Sequence, residues 1–136
     1  MDADLMQRAM AVRKHAHAPY SEFAVGAAVR NAAGVTFAGA NVENASFPEG
    51  CCAETAAIAA MVAGTPAGAE RRIAAIAVVA DRIAGRLTTP CGGCRQRIAE
   101  FAGPDTPVHV ADLTGQGRTY LMKELLPAAF ALDAGD

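Results

Sequence analysis

The spacing of apolar and polar residues divides the chain into alternating helical and extended segments. Between Asp4 and His17 apolar residues recur at helical intervals, which predicts a first helix that ends before Pro19. Residues 73–80 are apolar at every position and rich in β-branched side chains. A run of this kind indicates a strand that is buried on both faces of a sheet.

The rest of the pattern completes an α/β order. It predicts strands at 24–30 and 35–39 around a turn at 31–34 and a polar loop at 40–50. A helix follows that is strongly helical in composition over 52–61 and ends near Gly64, and a further helix is predicted at 94–101. Short strands at 108–111 and 119–122 and a helical turn and tail from Glu124 complete the pattern. Since helices alternate with strands, the expected fold is a three-layer α/β/α sandwich on a mixed five-stranded sheet. The chain shows no repeat or linker, so residues 1–136 are expected to form a single domain.

Composition and charge limit the partners of this domain. Hydrophobic residues make up 52% of the chain, charged residues 19%, and the net charge is −2. Without a basic stripe, nucleic acid is not an expected partner. The apolar runs are too short to cross a bilayer, and the N-terminus has no apolar signal segment, so we expect a cytoplasmic protein without a membrane partner.

Two short segments, Cys52-Ala53-Glu54 and Pro90-Cys91-Gly92-Gly93-Cys94, carry the candidate chemistry. Catalytic zinc takes three protein ligands in a tetrahedral shell and leaves the fourth position for water. Cys91 and Cys94 are spaced to reach one metal ion, and Cys52 supplies a third thiolate. Glu54 is only two residues from Cys52, which is too close in sequence for it to be a favourable fourth ligand. It is well placed to exchange protons with the water in the fourth position.

Each of these thiols also has a simpler interpretation. A Cys-x-x-Cys pair can act as a thioredoxin-like redox site, and a single buried cysteine is a common core residue. Cys51 is interpreted as a packed thiol, because adjacent residues at a helix start point in different directions. The three histidines lack partners at ligand spacing and are interpreted as solvated or structural: His15, His17 and His109.

The predicted helix starts favour thiolates. Cys52 and the Cys91–Cys94 pair lie at predicted helix N-termini, where the positive dipole end lowers thiol pKa values. Three thiolates on one zinc ion leave a formal charge of −1, which the helix ends and Arg95 partly offset. Asn41, Glu43 and Asn44 stand directly ahead of the first metal helix. They either form an ordinary turn or line the site.

Several segments, in order and over about residues 4–130, resemble the small homotetrameric cytidine deaminases. They are residues 19–26 (PYSEFAVG), 41–45 (NVENA), 52–54 (CAE), 90–96 (PCGGCRQ) and 124–127 (ELLP). The cysteine and glutamate pattern is that of zinc deaminases in general. The resemblance implies zinc-dependent conversion of cytidine and 2′-deoxycytidine to uridine and 2′-deoxyuridine, with release of ammonia, in pyrimidine salvage.

The resemblance also implies a role for particular residues. One Zn²⁺ per subunit would be held by Cys52, Cys91 and Cys94, with Glu54 as the proton shuttle. The implied nucleoside contacts are the 3′-hydroxyl on Asn41 and Glu43, packing by Phe23, the backbone N–H of Ala53, the carbonyl of Thr89, and Phe130 from a neighbouring subunit of a homotetramer.

Three positions depart from the family pattern. Thr55 stands where the family usually has arginine, which removes a positive charge beside the thiolates and leaves Arg95 with more of that role. Phe47 stands where a tyrosine is frequent, so a hydroxyl contact to the ribose is missing. Ala24 replaces a proline.

Other functions stay open at this point. The same chemistry could act on another aminopyrimidine nucleoside, such as a nucleoside antibiotic, because two of the departures lie near the pocket. A non-catalytic zinc-stabilised binding module is a second possibility, although structural zinc usually has four protein ligands. Editing of a polynucleotide is disfavoured by the charge.

Overall fold

A computed structural model of the protein describes residues 1–132. Its elements in chain order are α1 (Ala3–Arg13), β1 (Val25–Asn31), β2 (Thr36–Ala40), α2 (Ala53–Gly64), β3 (Ile73–Ala80), α3 (Gly92–Phe101), β4 (Pro107–Ala111), β5 (Gly117–Leu121) and α4 (Met122–Leu125), with 3₁₀ turns at Phe47–Glu49 and Ala69–Arg71. None of the described helices is both long and apolar enough to cross a membrane.

The strands form one mixed sheet in the order β2-β1-β3-β4-β5. Only β3 and β4 run parallel, and α3 provides the crossover between them. The other neighbouring pairs are antiparallel. This confirms the predicted mixed five-stranded α/β fold.

Alternate residues of β3 enter two separate cores. Ala77 and Val79 pack with Leu5 and Ala9 of α1 on one face. Ile76 and Val78 pack with residues of α2 and α3 on the other face. Because both faces of β3 are buried, the continuous apolar run seen in the sequence is physically required.

Glycines let the helices approach the sheet closely. A Cβ built on Gly39 of β2 would lie 2.4 Å from the backbone nitrogen of Ala57 in α2. A Cβ on Gly26 of β1 would lie 2.0 Å from the carbonyl oxygen of Ala9 in α1. No real side chain tolerates either distance, so only glycine fits at these two positions. The two glycines therefore let α1 and α2 pack directly against the strands.

Element boundaries differ from the sequence prediction where distant contacts intervene. Helix α1 ends at Arg13 because His17 is drawn into an extended bridge with Val42. Helix α3 begins at Gly92, two residues earlier than predicted, whereas α2 ends at Gly64, where the sequence predicts its end. The loop at 40–50 contains a 3₁₀ turn. The predicted C-terminal tail is described to residue 132, and residues 133–136 lie outside the described part.

Candidate metal centre and adjoining cavity

Three cysteines from two helix starts meet at one point. Cys52 caps α2, Cys91 caps α3, and Cys94 lies in the first turn of α3. Their Sγ atoms all lie within 4.8 Å of one another. Tetrahedral zinc with Zn–S distances of about 2.3 Å needs sulfur atoms about 3.8 Å apart. The cluster can therefore bind a single metal ion after a small contraction.

The three thiols differ in their electrostatic surroundings. The backbone N–H of Cys94 donates to the Cys91 sulfur, and this hydrogen bond lowers the Cys91 pKa. Burial raises the pKa of Cys52 and, more strongly, that of Cys94. Three thiolates are thus unfavourable here without a cation, and a soft divalent metal supplies the missing charge.

Glu54 lies beside the cluster in the first turn of α2 and is only 4% exposed. Burial raises the pKa of its carboxyl group, while its own backbone N–H, Cys94 and the charge of Arg97 oppose that rise. A carboxyl group with a raised pKa holds a proton more readily than a free one and can still return it. This property suits a shuttle.

A cavity of about 160 Å³ opens onto these groups. Val25 and Val78 form apolar walls, and the threonine pair Thr88 and Thr89 closes one side. The remaining lining residues are Asn41, Cys52, Ala53, Glu54 and Cys91. Apolar walls beside a few convergent polar groups suit a small flat heterocycle.

Asn41 and Glu43 brace the segment 20–25 at the cavity mouth. The Asn41 side chain accepts from the Val25 N–H at 2.8 Å and donates to the Phe23 carbonyl at 2.8 Å. Glu43 accepts from the Tyr20 N–H at 2.9 Å, and from the backbone and hydroxyl of Ser21. The Ser21 hydroxyl lowers the Glu43 pKa, so this carboxylate stays ionised. Each side chain keeps unused hydrogen-bonding capacity.

An outer recess of about 350 Å³ lies next to this mouth. Tyr20, Ser21, Glu43, Asn44, Phe47 and Gly50 line it. The Tyr20 and Phe47 rings meet edge to face, with centroids 5.7 Å apart. Phe47 is nevertheless 73% exposed, so most of its ring has no cover within the described chain.

Phe23 and Phe130 lie outside the lining of the inner cavity. Phe23 is half-buried, and its N–H donates to the Ser21 hydroxyl at 3.0 Å. Phe130 is 70% exposed, and Gln96 donates to its carbonyl at 3.0 Å. The ring of Phe130 is therefore largely uncovered by the described part of the chain.

Arg95 is engaged by three oxygen atoms. Its guanidinium donates to the Pro90 carbonyl at 2.7 Å, the Leu125 carbonyl at 2.8 Å and the Thr89 hydroxyl at 2.9 Å. It thereby ties the loop before α3 to the end of α4. Cys51 stays outside the metal cluster, and its thiol faces the Cys52 carbonyl at 3.4 Å.

Sequence reasoning missed several residues of this site. Val78 and Thr88 line the cavity from a strand and a loop without any motif to mark them, and Val25 lies within the quoted segment 19–26 but was given no role. Thr55 was noted only as a departure from a pattern, but its hydroxyl lies 3.8 Å from the Cys94 sulfur. The role of Arg97 depends on how its side chain folds back along α3, for which the sequence carries no signal.

Comparison with known proteins gives concordant matches. The family model of the cytidine and deoxycytidylate deaminase zinc-binding region matches residues 1–110. A cytidine deaminase of Halalkalibacterium halodurans is 42% identical over 95% of this chain and 93% of its own length. One from Sporosarcina psychrophila is 38% identical over 96% of this chain and 93% of its own length.

Solved structures of similar proteins share the fold. A cytidine deaminase from Burkholderia pseudomallei superimposes with a TM-score of 0.86 at 39% identity, covering 96% of this chain and 99% of that chain. One from Mycobacterium tuberculosis gives a TM-score of 0.77 at 34% identity, covering 97% and 99% respectively.

Proposed function

The chain belongs to the cytidine and deoxycytidylate deaminase family and is a zinc-dependent enzyme of cytidine deamination, and we propose which of its residues carry that reaction. The proposed substrates are cytidine and 2′-deoxycytidine, the products uridine and 2′-deoxyuridine, and the released group ammonia. The observation that carries this proposal is the buried Glu54 beside three convergent thiols, with Glu54, Cys52 and Cys91 lining one cavity.

Zinc is held by Cys52, Cys91 and Cys94 in this proposal. The donor set fits, because three thiol sulfurs already converge and a soft divalent cation relieves the cost of ionising them. When bound there, zinc lowers the pKa of a water molecule, so that the water becomes a nucleophile near neutral pH.

Glu54 moves the protons. Its carboxylate accepts a proton from the attacking water and delivers it to the N3 atom of the pyrimidine ring as oxygen adds to C4. It then takes the second proton from the added oxygen and passes it to the amine. The C4–N bond breaks, ammonia leaves, and C4 keeps the oxygen as a carbonyl. The raised pKa of Glu54 suits both directions of transfer.

Backbone groups orient the ring. The N–H of Ala53, the first residue of α2, is free of an intrahelical partner by its position and is directed towards the pyrimidine carbonyl. The carbonyl of Thr89 accepts from the amine, and Val25 and Val78 pack against the two ring faces. These contacts hold C4 close to Glu54.

The sugar is held at the cavity mouth. Asn41 and Glu43 bind the 3′-hydroxyl with the hydrogen-bonding capacity that the segment 20–25 leaves them. Phe23 packs against the nucleoside, and Phe47 offers an apolar edge without a hydroxyl. Because nothing in this scheme grips the 2′ position, ribose and 2′-deoxyribose nucleosides should both serve.

The assembly is proposed to be a homotetramer of single-domain chains spanning residues 1–136. Phe130 of one subunit would enter the outer recess of another, which is supported by the exposure of Phe130 and Phe47. Four free thiols need a reducing compartment, so we place the enzyme in cytoplasmic pyrimidine salvage.

An ultraviolet assay tests the proposal directly. Cytidine, 2′-deoxycytidine and cytosine would be offered to the zinc-loaded protein and to the same protein after zinc removal. We expect turnover of both nucleosides, little turnover of the free base, and recovery of activity when zinc is restored. A protein that holds zinc but turns over none of the three would instead be a zinc-stabilised binding module.

A further inference from the structure

Thr55 contacts the metal cluster without belonging to it. It follows Glu54 in the first turn of α2, and its Oγ1 atom lies 3.8 Å from the Sγ atom of Cys94 on α3. Cys94 is a fully buried side chain, so water cannot solvate its sulfur. A metal ligand thiolate carries no proton, so the hydroxyl of Thr55 must be the donor in this contact when metal is bound.

Arg97 is an exposed residue of α3, and its positive charge opposes the rise that burial causes in the pKa of the neighbouring Glu54 carboxyl group. A Cβ built on Gly93 would lie 3.0 Å from the Nη1 atom of Arg97. The guanidinium therefore folds back over the segment between Cys91 and Cys94. Arg95, by contrast, donates its guanidinium hydrogen bonds to two backbone carbonyls and to the Thr89 hydroxyl.

The negative charge of the metal-bound cluster explains how Thr55 and Arg97 stabilise it. Three thiolates around a divalent cation carry a net negative charge, and buried anions need donors or opposite charge close by. Thr55 supplies a donor to the most buried sulfur, and Arg97 supplies a positive charge over the first turn of α3, which follows its N-cap Cys91.

We propose that Thr55 and Arg97 are positioning residues that stabilise the three-thiolate centre from outside the ligand set and so govern how long the chain retains zinc. This inference rests on the zinc site of the proposed function. Thr55 acts through its hydrogen bond to Cys94, and Arg97 acts through its charge over the Gly93 backbone. Neither residue is among those that line the cavity.

Zinc release into an excess of a coloured chelator tests the role of Thr55. Thr55→Val keeps the shape but removes the hydroxyl, and it should release zinc about 10-fold faster, at the lower end of known effects of partners of metal ligands. Thr55→Ser keeps the hydroxyl and should release zinc at the parental rate. Thr36→Val on β2 is the matched control, because the described contacts give the Thr36 hydroxyl no hydrogen bond, and it should also match the parent.

The same assay separates charge from shape at Arg97. Arg97→Gln should release zinc a few-fold faster, and the difference should shrink at high salt because the side chain is exposed. Arg97→Lys keeps the charge and should lie close to the parent. Arg86→Gln, which removes an exposed arginine elsewhere, should have no effect.

A spectroscopic measurement distinguishes a hydrogen bond to sulfur from a general loosening of the fold. With cobalt in place of zinc, loss of the hydroxyl in Thr55→Val should move the thiolate-to-cobalt charge-transfer band to lower energy, while Thr55→Ser should leave it in place. KM for cytidine should not change. Should Thr55→Val fail to fold, Thr55→Ala carries the same expectations, because alanine favours the helix.

The inference is overturned if Thr55→Val releases zinc at the parental rate with an unshifted cobalt band, or if Thr36→Val loses zinc equally fast. These outcomes are separate from failure of the proposed function. A parent protein that binds zinc but turns over no nucleoside would remove the proposed function, and the release rates would still test Thr55 and Arg97.

Discussion

The inner wall and the outer rim of the active site are built in different ways. The inner wall holds Cys94, fully buried, and Glu54, 4% exposed, both at helix starts that face the sheet. The outer rim carries Phe47, 73% exposed, and beyond it Phe130, 70% exposed. The groups proposed for chemistry are thus fixed by the core of one chain, while apolar parts of the recognition surface lack cover within the described chain.

Packing explains this difference. Glycine at position 39 lets α2 lie directly on β2, so the position of Cys52 and Glu54 follows from the sheet. The rim instead depends on hydrogen bonds between loops, such as the Val42–Cys51 backbone pair and the contacts of Glu43 with Tyr20 and Ser21. We therefore expect changes at the inner wall to abolish function and changes at the rim to tune it.

The largest effect is expected from removing a thiol of the inner wall. Cys94→Ser should lose most of its zinc, its turnover and part of its thermal stability, because metal binding contributes to folding. Cys51→Ser is the matched control, since Cys51 lies outside the cluster, and it should keep zinc and turnover. Metal content per chain and melting temperature measure both variants. A Cys94→Ser protein with full zinc and full activity would contradict the assignment.

A smaller effect is expected at the sugar end of the cavity. With 3′-deoxycytidine, Asn41 and Glu43 would lose the hydroxyl while the bound nucleoside still shields them from water. kcat/KM should therefore fall about 10–100-fold relative to cytidine, as expected when a polar group loses its hydrogen bond without regaining water. The control 2′-deoxycytidine should react about as well as cytidine. Equal kcat/KM for the 3′-deoxy compound would remove these two residues from substrate binding and leave the zinc chemistry untouched.

Mixing two variants tests whether the rim is shared between subunits. Phe130→Ala and Glu54→Ala chains should each be poor enzymes, because one lacks the aromatic cover and the other lacks the shuttle. When they are refolded together, some sites would combine an intact Glu54 with an intact Phe130 from a neighbour, so activity should exceed the average of the two. A mixture no more active than that average would show that Phe130 acts within its own subunit or not at all.

The smallest effect, a modest loss of folding stability without loss of zinc, is expected from a change at Asp2. This residue lies on the α1 face of the sheet, away from the inner wall and the outer rim. The pKa of Asp2 is lowered to about 2, first by its hydrogen bond with Arg30 and then by the Leu5 N–H. A carboxyl group whose pKa is lowered by folding stabilises the folded protein at pH values above the pKa that the group has in the unfolded chain. This contribution of Asp2 is lost as the pH falls through about 4 towards about 2.

Asp2→Asn should therefore be less stable than the parent by about 1 kcal/mol at pH 7, allowing for solvent screening of a partly exposed pair. The gap should narrow as the pH falls below about 4. Denaturant unfolding of both proteins at each pH measures this gap, and zinc content at pH 7 should be unchanged. A constant gap at all pH values would mean that ionisation of Asp2 is not its cause.

Much of the fold was predictable because it follows from local patterns. The strand at Ile73–Ala80 was predicted to the residue, since an apolar run of that length has few other solutions. The end of α1 was not, because a bridge between His17 and Val42 overrides helix propensity there. Such a bridge depends on two segments that only the folded chain brings together.

The site divides in the same way. The three thiols were predicted to converge, and the structure does bring their sulfur atoms within 4.8 Å. The sequence could not show that Arg95 would be engaged by carbonyls, or that Thr55 would contact Cys94, because both contacts depend on the packing of α2 and α3. The assigned roles of Asn41, Glu43 and Phe130 stay predictions.

Turnover and zinc content of Glu54→Gln test the central assignment most directly. Glutamine keeps the size and much of the hydrogen bonding of glutamate but cannot carry protons. We expect this variant to hold as much zinc as the parent and to lose about 10²–10⁴-fold in kcat on cytidine, the usual contribution of general acid–base catalysis. Turnover within a few-fold of the parent, with zinc fully bound, would contradict the assignment of Glu54 as the proton shuttle.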